Sequence, residues 1–291
     1  MFNRTTRWRS FVGLAIALLL HAWPSAATAQ KLRYSRVSRE VVESRLGKYG
    51  GENKQREATL KQMFAEAGCG DHLSEQLVNK SKLPNVICVL PGALDTVIVV
   101  GAHFDRLPKD DGVVNNWSGA CLLPSLYQAV KPEPRKHTYI FIGFTEGMTT
   151  EAGSHFYAQQ LTKEQAAKTD AMVNIDTLGL GPTQVWGTHS DKLLIGALNY
   201  VARSLNAPVS RVDLELTGSS ADSEQFAVRK IPRITIHSLT QKLWDADIIF
   251  SSKDEISVMR LDDYYQTYEL LAAYITFLDQ IVRGPAGLTL P

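Results

Sequence analysis

Three polar side chains stand where apolar runs stop: His103 after Val97-Ile98-Val99-Val100-Gly101-Ala102, Glu146 shortly after Tyr139 to Phe144, and Asp176 after Met172 to Ile175. An imidazole and two carboxylates at one edge of a sheet can bind a divalent cation, take a proton from water or fix an amine. Singly, each has a plainer use, the histidine in a local hydrogen bond and the acids as helix caps. Together with the loop Asn115-Asn116-Trp117-Ser118-Gly119, which leads into an apolar helix, they point to one site.

Such a site needs its strands side by side, because ligands of open α/β sheets sit outside the carboxyl ends. The apolar runs predict strands at Asn85 to Leu90, Thr96 to Gly101, His137 to Phe144, Ala171 to Asp176, Gln184 to Gly187 and Arg233 to His237. Helical spacing covers Ser38 to Tyr49, Asn53 to Ala67, Gly119 to Val130, Gly153 to Leu161, Asp191 to Leu205, Ser223 to Val228 and Asp262 to about Val282. This alternation predicts a three-layer αβα sandwich around a mostly parallel mixed sheet. Pro91-Gly92 predicts an antiparallel hairpin between the first two strands, at one edge. No Pro, Gly or Ser-rich linker divides residues 30–291, so one domain is expected, with Gly284 to Pro291 as a frayed tail.

The 291 residues are 44% hydrophobic, enough for a sizeable core. Residues 1–29 read as a signal peptide: Arg4, Arg7 and Arg9, an apolar run from Phe11 to Leu20, then Pro24 and Ala27-Thr28-Ala29. Cleavage near Ala29 implies a secreted or periplasmic protein without a stable membrane anchor, since that run is about half a spanning helix. Loss of three arginines and no acids leaves 28 basic against 30 acidic residues, a formal charge of −2 that gives nucleic acid nothing to hold. In an oxidising compartment Cys69 and Cys88 are expected to pair, and Cys121 reads as a small buried apolar residue. Asn79-Lys80-Ser81 and Asn116-Trp117-Ser118 satisfy the glycosylation pattern, the second in a cleft loop with no room for a glycan.

From about Leu83 to Asp279 the chain resembles the co-catalytic zinc exopeptidases of peptidase family M28, among them leucyl aminopeptidase, aminopeptidase Y and glutaminyl cyclase. Gly101-Ala102-His103-Phe104-Asp105 matches the segment that supplies one zinc ligand, and Asn115-Asn116-Trp117-Ser118-Gly119 occupies the place of Asp-Asn-x-Ser-Gly, the bridging carboxylate. Glu146-Gly147 stands for the pair of glutamates that act as general base and metal ligand, before the helix start at Gly153-Ser154. Asn174-Ile175-Asp176 matches a further ligand segment, and Phe250-Ser251-Ser252-Lys253-Asp254 resembles the element carrying the last histidine.

The resemblance implies Glu146 as catalytic base, His103 and Asp176 as metal ligands, Asp105 as the group orienting His103, and Asp222 on the substrate side. It gives His237 no ligand role. Asn115, Gly147 and Phe250 are degenerate ligand positions, so each of the two zinc sites keeps a single good donor. The expectation is an exported family member with zinc absent or one ion weakly bound, acting as a non-catalytic binding protein for a peptide or peptide N-terminus. The alternative is an active metallo-aminopeptidase, or a one-zinc enzyme like glutaminyl cyclase, with a rearranged single-metal site.

Overall fold

The computed structural model describes residues 34–214 and 221–280, and the backbone of Arg283–Gly284 and Gly287–Leu288. The expected signal at 1–29 lies outside the described residues. Helices α1 Arg39–Leu46 and α2 Asn53–Glu66 precede strands β1 Leu73–Gln76, β2 Asn85–Leu90 and β3 Val97–His103. A distorted turn at Val113–Trp117 leads into α3 Ser118–Ala120, α4 Leu122–Val130 and β4 Thr138–Phe144. There follow α5 Ala152–Gln160, α6 Lys163–Lys168, β5 Thr169–Ile175, β6 Gln184–Trp186, α7 Lys192–Ser204 and β7 Ser210–Val212. Then come α8 Glu224–Val228, β8 Arg233–His237, α9 Gln241–Asp245, α10 Leu261–Gln280, β9 Arg283–Gly284 and β10 Gly287–Leu288.

Eight strands form one mixed sheet in the order β1-β2-β4-β3-β5-β8-β6-β7. The central four, β4, β3, β5 and β8, are parallel; β2 pairs antiparallel with β4 and with β1, β6 pairs antiparallel with β8, and β7 runs parallel to β6. Central parallel strands need cover on both faces, and β5 is buried along its whole length. Alternate residues serve the two cores. Val99, Ile142 and Met172 pack against Tyr157 of α5 and Phe226 of α8, while Ile98, Phe141 and Val173 face the larger cluster that includes α2, α4, α7 and α10. The three-layer arrangement is therefore as expected.

The hairpin is not. β2 and β3 do run in opposite directions, but β4 lies between them. The turn at Pro91-Gly92 carries the chain hard across the start of β4: a Cβ on Gly92 would stand 2.2 Å from the His137 carbonyl, and Leu94 N donates to Lys136 O at 2.8 Å. β3 consequently enters on the far side of β4. The short strands β1 and β7 and the helices α6 and α9 are additions to the sequence reading, and the expected frayed tail carries the antiparallel β9–β10 pair.

Cys69 and Cys88 are joined, tying the segment before β1 to β2; closing such a loop is worth about 3 kcal/mol. Cys121 is buried beside Tyr264, and burial pushes its thiol up to about 12. Among the described residues no helix is long and apolar enough to cross a membrane.

Candidate functional site

A cavity of about 340 Å³ opens at the carboxyl ends of β3, β5 and β8. His103, Asn115, Asp176, Thr177, Asp222, Thr235, His237 and Glu151 form its polar wall. Trp186, Leu214, Leu239, Trp244, Ile249 and Phe250 form an apolar one. The fold therefore gathers His103, Asp176, Asn115, Gly147 and Phe250 around one space.

His103 ends β3 and is 5% exposed. Its Nε2 lies 3.2 Å from Asn115 Oδ1 and 4.0 Å from Asp176 Oδ1. Its Nδ1 is 3.3 Å from Asp105 Oδ1, an ion-pair separation without hydrogen-bond alignment. Burial by itself would push the imidazolium down, but Asp105, Asp176 and Asp222 outweigh it and raise the group to about 10. Asp105 is fixed by amides of Gly147 and Met148, which donate to its two oxygens at 2.8 and 3.1 Å. It thus sits beside the Nδ1 side of His103.

The loop bearing Asn115 is held from both sides. Asn116 donates to Ile175 O and accepts from the amides of Gly119 and Thr177, which leaves it fully buried and closes the second glycosylation pattern to a glycan. The Asn115–Asn116 peptide bond is cis. Asp254 accepts from the amides of Val114 at 2.6 Å and Asn115 at 3.0 Å, and burial pushes its carboxyl up to about 6 although those amides favour the anion. The segment resembling the last-histidine element therefore retains a loop-holding acid, while Phe250 turns its ring edge-on to Trp244, 5.8 Å between centres, at the apolar wall.

Glu146 lies apart from the other sequence-predicted site residues. It is not among the cavity's lining residues; its carboxylate accepts from Ser81 Oγ and Thr149 Oγ1, each at 3.2 Å. The cause is a closed turn in which Glu146 O accepts from the amides of Thr150 and Glu151, with Glu146 and Glu151 both at positive φ. That turn brings Glu151, at the start of α5, to the cavity instead, where Gln225 donates to it at 2.9 Å. Gly147 is equally constrained: a Cβ there would stand 2.3 Å from His103 Cβ and 2.4 Å from its Cγ. A glutamate at this position does not fit beside the imidazole.

Asp222 lines the cavity, 3% exposed, with Oδ1 lacking a hydrogen-bond partner. Burial raises its carboxyl to about 7 against the pull of His103. The lining residues to which sequence reasoning gave no role are Glu151, Trp186 and His237. Glu151 precedes the Gly153-Ser154 helix start and had that signal. Trp186 ends a three-residue strand, and His237 ends an apolar run as His103 does.

The model of peptidase family M28 matches residues 85–275. The chain belongs to peptidase family M28. It is 25% identical over 181 residues to aminopeptidase YwaD of Bacillus subtilis (strain 168), covering 60% of this chain and 36% of that protein. It thus spans about a third of the length of that curated relative. Its fold is similar to the LapA aminopeptidase of Legionella pneumophila, with a TM-score of 0.74 at 17% identity over 84% of this chain and 72% of that one. It is also similar to an Acidobacteriales bacterium glutaminyl cyclase, with a TM-score of 0.71 at 17% identity over 87% of this chain and 98% of that one.

Zinc is typical of M28 relatives, and the donors at this site do not fit a pair of such ions. On its lining Asn115 offers a neutral carboxamide, Gly147 no side chain, and Phe250 a hydrocarbon ring. Among the described residues no group of three or more His, Cys, Asp or Glu converges as a metal cluster.

Proposed function

We propose that this M28 family member is an exported, non-catalytic binding protein whose cavity takes the amino terminus of a peptide. The observation that carries this reading is the His103–Asn115 contact: the cavity-facing imidazole nitrogen pairs with a carboxamide oxygen, and Gly147 packs against the ring where a ligand would otherwise approach. Three carboxylates, Asp176, Asp222 and Glu151, share the wall with the His103 imidazolium, which favours a cationic ligand. The unpartnered Asp222 Oδ1 is an acceptor for an ammonium group, and the Trp244–Phe250 side accepts an apolar side chain.

The test is metal content and turnover of the protein purified without chelator from its complete gene. Substoichiometric zinc and no hydrolysis of leucyl-p-nitroanilide, with or without added zinc, are expected. N-terminal sequencing is expected to begin near Gln30 if residues 1–29 are a cleaved leader. A second reading, a single-metal enzyme, draws on the placement of Glu151 and Asp222 beside His103 and Asp176. One zinc per chain, with hydrolysis abolished by Glu151→Gln, would establish that reading and overturn the first.

A further inference from the structure

The loop that leaves β3 needs a glycine at 112. The backbone there is left-handed, at φ 51°, and a Cβ would stand 2.6 Å from Arg106 Cβ. The residue before it is Asp111, so the path from His103 to Asn115 crosses an Asp-Gly junction. Asp111 is exposed and its side chain makes no hydrogen bond among the described residues; the Gly112 amide donates to no acceptor among them either.

A main-chain amide that follows an aspartate can attack the Cγ of that side chain. The N–Cγ bond forms, the carboxyl hydroxyl leaves as water with the amide hydrogen, and a five-membered succinimide closes. A following residue without a side chain obstructs this least. Water then opens the ring at one of its two carbonyls. Attack at the main-chain carbonyl of Asp111 breaks the original peptide C–N bond and leaves the chain running through Cβ and Cγ. The product is isoaspartate, with one more atom in the main chain and no change in composition, because the water lost is the water regained.

Arg56, on α2, is fully buried and placed to drive that course. Its Nη2 donates to Asp111 O, its Nη1 to Gly112 O at 3.1 Å and Phe104 O at 3.3 Å, and its Nε to Tyr49 O at 3.0 Å. Burial lowers the guanidinium to about 10, which leaves it cationic at neutral pH. A cation fixed on Asp111 O stabilises the charge this oxygen gains as the Gly112 amide gives up its proton. In the ring it polarises the same carbonyl, drawing water to the side whose opening gives isoaspartate. The carboxylate so formed keeps an oxygen already bonded to Nη2, a charge-assisted pair that opposes closure back to the ring.

The junction is tied to the cavity. Gly112 O also accepts from Trp117 N at 3.1 Å, across the distorted turn that carries Asn115, and Asn115 lines the cavity. We propose that Asp111–Gly112 is a self-modification site, converted to isoaspartate in the folded protein under the guidance of Arg56, so that the wall at Asn115 is altered as the protein ages. This holds whatever ligand the cavity takes.

The purified full chain is incubated at neutral pH in water enriched in oxygen-18. Isoaspartate is counted by methyl transfer from S-adenosylmethionine with a protein isoaspartate methyltransferase, and located by fragmentation of the labelled peptide. Isoaspartate and heavy oxygen are expected at residue 111, forming about tenfold or more faster in the folded chain than in the same chain unfolded in urea at the same pH. Asp111→Glu, whose longer side chain would close a larger ring, is expected to lose both. Arg56→Lys keeps a charge but not the forked grip, and is expected to lower the rate and the isoaspartate share of the opened ring.

No isoaspartate at residue 111 of the folded chain, or formation no faster than in urea, overturns the proposal, and this comparison needs no variant. Formation that a folded Arg56→Lys variant leaves unchanged in rate and share overturns the part given to Arg56.

Discussion

Two buried histidines stand at opposite ends of the central strands, and they are treated differently. His137, just before β4, sits between two carboxylates in hydrogen-bond contact, Asp279 at 3.2 Å on Nδ1 and Asp170 at 3.1 Å on Nε2. Asp279, near the end of α10, is further held by the amides of Lys136 and His137. His103, at the end of β3, has a misaligned carboxylate on one nitrogen and a carboxamide on the other. With it the cavity lining holds Asp222, His237 and Trp186, each with an unpartnered polar atom. One end of the sheet is a closed clasp that binds α10 to the strands. At the other end polar groups are held buried and open, as a ligand site requires.

The largest test of this contrast is His137→Ala. It leaves Asp170 and Asp279 buried without their cation, and a loss of about 3–5 kcal/mol is expected in urea unfolding. His103→Ala, at a looser cluster, should cost less; equal losses would erase the contrast.

The second test is pH. Burial lowers the His137 imidazolium, but Asp170 and Asp279 override it and raise the group from 6.5 to about 9. A raised folded-state value stabilises fully below pH 6.5 and fades as pH climbs through about 9, a contribution of about 3 kcal/mol. On the acid side the pair weakens as Asp279, whose carboxyl its partners hold below the ordinary range, becomes protonated. Unfolding curves at pH 6 and pH 9.5 should show the loss, and His137→Ala should retain only the part due to His103 and Asp222, both raised on folding and so of the same sign.

The third is Gly147→Ala. Its methyl would collide with His103, so a destabilisation of about 1–3 kcal/mol is expected, with binding of L-leucinamide, a probe with a free amino terminus, weakened as the ring is displaced. An unchanged midpoint and affinity would mean that the ring has room to move. Smallest is Glu146→Gln, outside the cavity, where stability should stay within about 0.5 kcal/mol and leucinamide affinity should not change.

The apolar runs made most strands and helices legible, because a buried central strand such as β5 admits little but hydrocarbon. The order of the strands was less so: nothing in Pro91-Gly92 records that β4, some forty residues later, will enter between β2 and β3. Exposed, three-residue β7 carries too little pattern to register. At the site, His103, Asp176, Asn115 and Asp222, picked out by motif spacing, line one cavity. Glu146 falls outside that lining because side-chain direction there depends on two residues at positive φ, a backbone property that residue types other than glycine do not announce.

The space beside Gly147 also bears on what a single substitution can reach. With an imidazole against a bare α-carbon, a glutamate placed there must evict the ring before the new carboxylate gains anything. An added acid at this point comes only with the turn and the histidine remodelled in concert.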